Sequence, residues 1–412
     1  WNSDSRMPVN PYMTDSVNSS VRLLDPDQGR VWITTLDSLQ YLILAPGESD
    51  TVYIPFGPVD IDQVTAFIPQ TGFVPLGVID RDTATTIGID LAAMDKALGK
   101  LSTDSGRSAP VRIESFTEAL DDSTNTRTTD QNVTVTLSSD VTFDSDSAAL
   151  SDKADGQLQI VAEQLAQYPD GGSLDIVGHT DDVADDAHNQ KLSEDRAQAV
   201  RDRLAELADL GSWPDSVTGK GETEPAIDDT TDEARAANRR VEITLTPTGG
   251  TNPKDSNTTA PSAPPASGTG LPEAKGPVGT GPDGVTVKGP EDYGGQITVT
   301  LDHVTRNGGL LLGQLTVTTG PGGTGNPFLS AWLTDSSVLL ANSRGETGGI
   351  EAIGASSGLT LLADGQRVYT ADYILPGGDW HRPLTELYAY EDLKENVTTT
   401  ICVVWPDTGQ DT

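Results

Sequence analysis

The sequence contains one cysteine and no long apolar run. A single cysteine, Cys402, among 412 residues excludes an intramolecular disulfide and a cysteine cage around a metal ion. Because Cys402 lies inside the apolar run TTICVVW, we expect it to be a small buried residue of a strand. No apolar run approaches the roughly 18 residues that a membrane-spanning helix requires. The sequence therefore predicts neither a disulfide framework nor a helical membrane anchor.

Basic residues are also scarce. The 26 Lys and Arg face 62 Asp and Glu, which gives a formal net charge of −36 at pH 7. A field of this sign repels the phosphate backbone of nucleic acids and the surface of anionic membranes. We therefore expect no nucleic-acid partner, whereas a cationic or zwitterionic ligand stays compatible with the charge. An excess of acidic residues is typical of secreted or salt-tolerant bacterial proteins.

The pattern of apolar and turn residues divides the chain into five segments. Short β-branched and aromatic runs in residues 1–82 and 290–412 predict two all-β, Ig-like sandwiches. Residues 83–130 give a weaker signal and are predicted to be a connector, with a short helix at LAAMDKALGKL and a strand pair formed by PVRIESFTEAL and NTRTTDQNVTVTL. Residues 131–247 alternate strands with two amphipathic helices, a pattern typical of one sheet covered by helices. Residues 248–289 are rich in Pro, Gly, Ser and Thr, which predicts a disordered linker. The predicted fold class is therefore α+β and multidomain.

A faint repeat connects the two β-rich ends of the chain. Residues 357–379, SGLTLLADGQRVYTADYILPGGD, resemble residues 19–50 in an LL strand, a glycine turn and an RV strand. The C-terminal copy lies deep inside its segment, whereas the N-terminal copy begins close to the first residue. We therefore expect that the first sandwich lacks its leading strands and that the sequence is a piece of a longer protein.

The stretch GHTDDVADDAHNQKLSEDRA, residues 178–197, concentrates acidic side chains before an arginine. The predicted strand SLDIV ends at Val177, which places Asp181 near its carboxyl end. Ser193 is a suitable N-cap, so the next helix is predicted to begin there, with Arg196 in its first turns. Asp181 and Arg196 can then face one pocket and bind the ammonium and the carboxylate of a zwitterion. An ordinary surface salt bridge and a solvated acidic loop are the alternatives.

The same stretch also contains several residue types that bind metals. They are His179, Asp181, Asp185, Asp186 and His188. Their spacing matches neither a helical histidine pair nor an EF-hand loop, and His179 is predicted on the opposite face of the strand. Nucleophilic catalysis would need a serine or cysteine beside a base, and Cys402 lies far from this stretch in an apolar run. We therefore predict no metal, no cofactor and no catalytic residue.

Several short motifs in this part of the chain resemble a known family. DVTFDSDSAAL, GHTD, Asn189, LSEDRA and NRRVEITL keep the order and spacing found in the OmpA-like C-terminal domain, which also occurs in peptidoglycan-associated lipoproteins and flagellar stator proteins. The resemblance covers residues 133–247. It implies a βαβαββ sandwich that binds peptidoglycan non-covalently. In that family the ligand is the diamino acid of the stem peptide, typically diaminopimelate.

The resemblance also implies roles for individual residues. Asp181 and Arg196 match the pair that holds the zwitterionic end of the diamino acid. Phe143 and Asp144 match a Phe-Asp pair that approaches the ligand. The other matches shape the loop or contact the ligand (Thr180, Asn189, Leu192) or support the fold (Arg239, Arg240). Ala184 departs from the pattern, because the family commonly has glycine at this position, and we therefore expect a different loop backbone.

Together these features predict a secreted bacterial protein that is extracellular or associated with the cell wall. The OmpA-like domain would anchor it to peptidoglycan, and the β-domains would act as spacers or contact other envelope proteins. Two alternatives stay open. One is a peptidoglycan-dependent enzyme whose catalytic residues lie in an unrecognised part. The other is an OmpA-like scaffold adapted to protein interaction, which Ala184 and the acidic loop would favour.

Overall fold

The structure of the protein is a computed structural model. The residues that it describes are 21–34, 51, 53–99, 109–144, 146–251, 273–274, 276–279, 283–288, 295–321, 333, 347–348, 355–363, 365–374, 380–386, 396 and 398–409. Every helix within these ranges is too short or too polar to cross a membrane.

Strands and helices alternate most regularly in the middle of the chain. The first elements are β1 (Arg22–Asp25), β2 (Arg30–Trp32), β3 (Gln63–Ile68), β4 (Gly72–Gly77), α1 (Arg81–Thr86), α2 (Leu91–Leu98) and β5 (Val111–Arg112). The middle elements are β6 (Ser115–Ala119), β7 (Thr124–Thr128), β8 (Val133–Ser138), α3 (Ser139–Thr142), α4 (Ala154–Ala166), β9 (Gly172–Gly178), α5 (Asp186–Leu207), β10 (Asp215–Gly219), α6 (Asp232–Asn238) and β11 (Arg240–Pro247). The last elements are β12 (Val285–Lys288), β13 (Gln296–Asn307), β14 (Leu310–Thr319), β15 (Thr347–Gly348), β16 (Leu361–Ala363), β17 (Gln366–Val368), β18 (Asp372–Ile374), β19 (Trp380–Pro383) and β20 (Thr398–Pro406).

Strands β8 to β11 and helices α4 and α5 form the mixed domain that carries the site. Its strands lie in the order β10-β9-β11-β8, and only the β9–β10 pair is parallel. Alternating residues of β8, such as Val135 and Leu137, point towards the helices. Leu158 and Val161 of α4 and Val200 of α5 pack against them in one core. The predicted succession of strands and helices is present, with two short helices added, α3 after β8 and α6 before β11.

The sheet of the mixed domain continues into the segment that the sequence predicts to be a connector. Strand β7 pairs with β8, β6 with β7, and β17 with β6, which makes a sheet of eight strands. Residues 115–128 of the predicted connector therefore belong to this sheet, with β6 and β7 as a strand pair. Their sequences, SFTEA and TNTRT, are polar, which makes the sequence signal for these strands weak. Without β7, the edge of β8 would expose unpaired backbone groups.

The β-rich ends of the chain share one core. Leu24 and Phe67 from the first segment pack with Leu312, Tyr373 and other buried residues of the last segment. This differs from the expectation of two separate sandwiches. Strands of three or four residues such as β1 and β2 expose too much apolar surface to be stable alone. The fold is thus a mixed α/β structure with four sheets in its described part.

Other expectations have mixed outcomes. Residues 252–272 of the predicted linker and residues 35–50 of the predicted repeat lie outside the described residues. The disordered linker is wrong at its end, because Val285–Lys288 pairs with β13 as strand β12. The alternating valines of VTVK suit a strand, and the surrounding glycines and prolines hide this signal.

Cys402 is fully buried in β20, and burial raises the pKa of its thiol.

Candidate functional site

Helix α5 begins earlier than predicted. Its first residue is Asp186, and the side chain of Asp185 caps it by accepting a hydrogen bond of 3.1 Å from the backbone N–H of His188. The prediction that Ser193 is the N-cap is therefore wrong. Ser193 lies inside the helix, where its hydroxyl donates to the Gln190 carbonyl (2.8 Å) and accepts from the Gly221 N–H (2.9 Å). Aspartate and serine are both good N-caps. In this structure, however, the Ser193 hydroxyl connects α5 to the turn after β10.

An open cleft of about 800 Å³ lies where the ends of β8 and β9 meet the first half of α5. Eight of the residues predicted from the sequence line it: Phe143, Asp144, Thr180, Asp181, Asn189, Leu192, Arg196 and Arg239. Arg240 is not among its lining residues. Its Nε donates to Glu242 Oε1 (2.6 Å) on the same strand, which agrees with a structural role.

Asp181 is held by a neighbouring arginine. Arg239 Nη1 donates to Asp181 Oδ2 (2.7 Å), and the other edge of the Arg239 guanidinium contacts both oxygens of Asp140 at 2.7 and 2.6 Å. Hydrogen bonding to Asp140, and then to Asp181, raises the pKa of Arg239. The second oxygen of Asp181 accepts from the Val183 N–H (3.3 Å). Asp181 is thus oriented by the protein itself, although each oxygen keeps a lone pair for a ligand.

Arg196 is buried but only partly hydrogen-bonded. Its side chain lies over the Phe143 ring, with 5.2 Å from the guanidinium carbon to the ring centroid, and its Nε donates to the Ser147 carbonyl (2.9 Å). The two terminal amino groups have no hydrogen-bond partner among the described residues. Burial lowers the pKa of Arg196, yet an arginine stays protonated at neutral pH. The cleft therefore contains a guanidinium whose fork is open to a carboxylate.

Two buried hydroxyl groups of the cleft lack partners. Thr180 is 3 % exposed and Ser139 is 2 % exposed, and within the described part of the chain neither hydroxyl makes a hydrogen bond. A buried polar group without a partner costs about 1–3 kcal/mol. A polar ligand atom in the cleft could supply the missing bonds. The family resemblance predicts Thr180 as a site residue, whereas no sequence feature predicts Ser139.

Asn189 fixes the shape of the loop between β9 and α5. Its Nδ2 donates to the backbone carbonyls of Asp181 (3.0 Å) and Ala184 (3.2 Å) and to Glu222 Oε2 (2.6 Å). Ala184 is not among the residues with a positive φ, so this loop does not need glycine there. Asn189 thus acts on the loop backbone that positions Asp181.

Within the described part of the chain, the metal-binding residue types of the acidic stretch form no group of three around one point. His188 Nε2 lies 3.0 Å from Asp146 Oδ1 at the cleft, whereas His179 is buried on the other face of the sheet. Burial, followed by the charge of Arg240, lowers the pKa of His179 to about 4. His179 is therefore uncharged at neutral pH, and its 4.0 Å contact with Glu242 is not an ion pair there.

Another buried group of side chains that could bind a metal ion was not predicted from the sequence. Glu114, Asp372 and His381 place their ligand atoms within 4.8 Å of one another, at the junction of the connector and the last segment. Arg127 Nη2 lies 3.0 Å from His381 Nε2. Because arginine only donates, Nε2 must accept, and Nδ1 carries the proton that is donated to Asp372 (3.0 Å). This arrangement fits an ionic network better than a metal site. Its members are too far apart in sequence to form a motif.

Comparisons with known proteins locate a family within the chain. The model of the OmpA family matches residues 142–239. Outer membrane porin F of Pseudomonas aeruginosa is 43% identical over 103 residues, which are 25% of this chain and 29% of the porin. Outer membrane protein A of Bordetella avium is 38% identical over 113 residues, 27% of this chain and 56% of that protein. The chain thus spans less than two thirds of the length of these two relatives.

A solved structure matches a similar share of this chain. The cell wall anchor of the T6SS from Pseudomonas aeruginosa is 32% identical to this chain and has a TM-score of 0.27. The match covers 31% of this chain and 89% of that structure.

Proposed function

Because residues 142–239 form a domain of the OmpA family, we propose that this protein binds cell-wall peptidoglycan non-covalently. The bound group is the diamino acid of the stem peptide, and the protein is a binding protein of the bacterial cell envelope rather than an enzyme. The β-rich segments act as spacers or as contacts for other envelope proteins. The family and the geometry of the cleft support this proposal.

One observation carries the proposal. Asp181 and Arg196 line the same cleft with opposite charges, yet no ion pair joins them in the described structure. Asp181 pairs with Arg239, and Arg196 is held by the Ser147 carbonyl. The ion pair of Asp181 is therefore made with Arg239 and not with Arg196. Two opposite charges that are held apart in one cleft suit a ligand with an ammonium and a carboxylate.

Each part of such a ligand has a partner of suitable chemistry. The ammonium donates to Asp181, and the carboxylate accepts from the terminal amino groups of Arg196 in a bidentate fork. The buried hydroxyls of Thr180 and Ser139 complete their hydrogen bonds with polar atoms of the peptide. Because Arg239 orients Asp181 before the ligand arrives, less conformational entropy is lost on binding.

Sedimentation with purified peptidoglycan tests this function. We expect Asp181→Asn and Arg196→Met each to reduce the retained fraction at least about tenfold, since a charged hydrogen bond contributes about 1.5–3 kcal/mol. Asp182→Asn is the matched control. Asp182 is an exposed neighbour whose carboxylate pairs with Arg235 (2.7 Å), so this variant should bind like the wild type. Thermal unfolding shows whether each variant is folded. Equal retention of all four folded proteins would contradict the proposal.

A further inference from the structure

We propose that the cleft selects stem peptides by their charge and favours those in which the carboxylate next to the bound diamino acid is amidated. The inference rests on the proposed function and adds a specificity to it. Three acidic residues at the cleft, Asp144, Asp146 and Asp185, impose the selection. They are called the acidic rim below.

The charges that line the cleft are unequal. Five carboxylates, those of Asp181, Asp140 and the acidic rim, face two guanidinium groups, those of Arg196 and Arg239. Arg239 is occupied by Asp140 and Asp181. Of the two guanidinium groups, that of Arg196 is then the one open to a ligand carboxylate. The first carboxylate of a ligand pairs with Arg196, but a second carboxylate is repelled by the negative charges of the acidic rim.

The acidic rim lies close to the proposed carboxylate position. Asp146 directly precedes Ser147, whose carbonyl accepts from Arg196 Nε at 2.9 Å. On the other side of the cleft, Asp185 caps α5, and His188 of the same helix reaches Asp146 at 3.0 Å. The rim residues therefore come from both walls of the cleft. A carboxylate that lies beside the bound zwitterion is repelled from either wall.

Peptidoglycan stem peptides differ in this second group. The residue before the diamino acid is a γ-linked glutamate whose α-carboxyl is either free or amidated. A free carboxylate adds a negative charge near the rim, whereas the amide adds none and keeps the shape. Like charges that face each other discriminate between ligands without adding affinity for the favoured one. Amidation of the zwitterion's own carboxylate has the opposite effect, because it removes the partner of Arg196.

The acidic rim can be neutralised with little structural change. Asp146 has a positive φ of 51°, and asparagine tolerates this conformation about as well as aspartate. Asparagine also caps helices as well as aspartate does, which suits position 185. The triple variant Asp144→Asn, Asp146→Asn, Asp185→Asn thus removes three charges and keeps the local backbone. The control variant Asp170→Asn, Glu206→Gln, Asp209→Asn removes three charges near the opposite ends of β9 and α5.

Calorimetric titration with two synthetic tripeptides tests the inference. The probes are L-alanyl-γ-D-glutamyl-meso-diaminopimelate and its γ-D-isoglutaminyl counterpart. At low salt we expect the wild type and the control variant to bind the amidated peptide about three- to tenfold more tightly, and this ratio to decrease as salt screens the rim. We expect the rim variant to bind both peptides with the same affinity. The readout is the ratio of the two affinities, so a contact of Asp144 with the ligand that is lost for both peptides does not change it.

The outcomes separate the two proposals. If the wild type binds both peptides with the same affinity, the selection is overturned while the proposed function stands. The same conclusion follows if the rim variant keeps the full preference. If the wild type binds neither peptide, the proposed function is contradicted and the selection with it.

Discussion

Arg239 bridges two carboxylates, with its Nη1 2.7 Å from Asp181 Oδ2 and its Nη2 2.6 Å from Asp140 Oδ2. This relationship fixes the orientation of the Asp181 carboxylate. Arg239 lies immediately before β11, whereas Asp181 follows β9, and the two strands are neighbours in the sheet. The pairing of these strands therefore brings the guanidinium to the carboxylate that we propose to bind the ligand.

The first prediction concerns this bridge. Arg239→Lys keeps the positive charge, but a single ammonium cannot contact Asp140 and Asp181 with the same planar geometry. We expect retention on peptidoglycan to decrease about tenfold, as for the loss of one charged hydrogen bond. Arg235→Lys is the matched control, because Arg235 forms an exposed pair with Asp182. Wild-type retention by the folded Arg239→Lys protein would show that Asp181 does not need this partner.

The second prediction concerns two glycines that let α5 approach the sheet. A Cβ at Gly178 would overlap the Ser193 carbonyl, and a Cβ at Gly219 would overlap the Ser193 hydroxyl and the backbone N of Glu194. We expect each alanine variant to lose about 1–3 kcal/mol of unfolding free energy, as measured in urea, because the helix must shift. The shift would also move Arg196 and weaken peptidoglycan binding.

Gly156 provides the control for these variants. It lies in α4, and a Cβ there meets no atom within 4 Å. Since alanine is about 0.8–1.0 kcal/mol better than glycine inside a helix, Gly156→Ala should stabilise the protein. Unchanged stability of Gly178→Ala would mean that the close approach of α5 and β9 is not required.

The mixed domain could be predicted from the sequence because its signals are local. Leu158, Val161 and Leu165 repeat at helical spacing, and β8 alternates apolar with polar residues, so periodicity locates both elements. The residues of the cleft follow from the order of short motifs. The role of Arg239 does not, since NRRVE contains two adjacent arginines and only the strand pairing decides which one faces Asp181.

Long-range packing escapes sequence analysis for a different reason. Leu24 and Leu312 share a core although most of the chain lies between them. A short apolar run shows that a strand needs a covering layer, but it does not identify the segment that supplies it. Likewise, TNTRT becomes strand β7 because β8 offers it an edge. In neither case does the segment itself identify the partner that stabilises it.

The third prediction concerns the acid sensitivity of the mixed domain. His179 has a pKa of about 4 in the folded protein, against 6.5 as its ordinary value. The unfolded chain therefore binds more protons between these values, so stability is complete above pH 6.5 and decreases as the pH falls towards 4. The shift of the pKa corresponds to a change of about 3 kcal/mol in the unfolding free energy. We expect the unfolding free energy of His179→Gln, measured in urea, to change much less between pH 7.5 and pH 4.5 than that of the wild type. The same acid-induced loss in both proteins would contradict the prediction.

The final prediction concerns Glu386 in the core shared by the β-rich ends. Burial raises the pKa of its carboxyl to about 7, against an ordinary value of 4.5, although the carboxylate accepts from the backbone N–H groups of Gln70 (2.9 Å) and Cys402 (3.2 Å). The folded state therefore binds more protons between pH 4.5 and 7. Its stability should decrease across this range as the pH rises and change little above pH 7, the opposite sign to His179.

Glu386→Gln separates this effect from the other titrating groups. Glutamine keeps an acceptor for both backbone N–H groups but carries no charge at any pH. We expect the wild type to lose up to about 3 kcal/mol relative to this variant between pH 4.5 and 7.5. The measurement is the difference between their urea unfolding free energies at each pH, which cancels the contribution of His179. A difference that does not change with pH would show that Glu386 is already ionised in the folded core at pH 4.5.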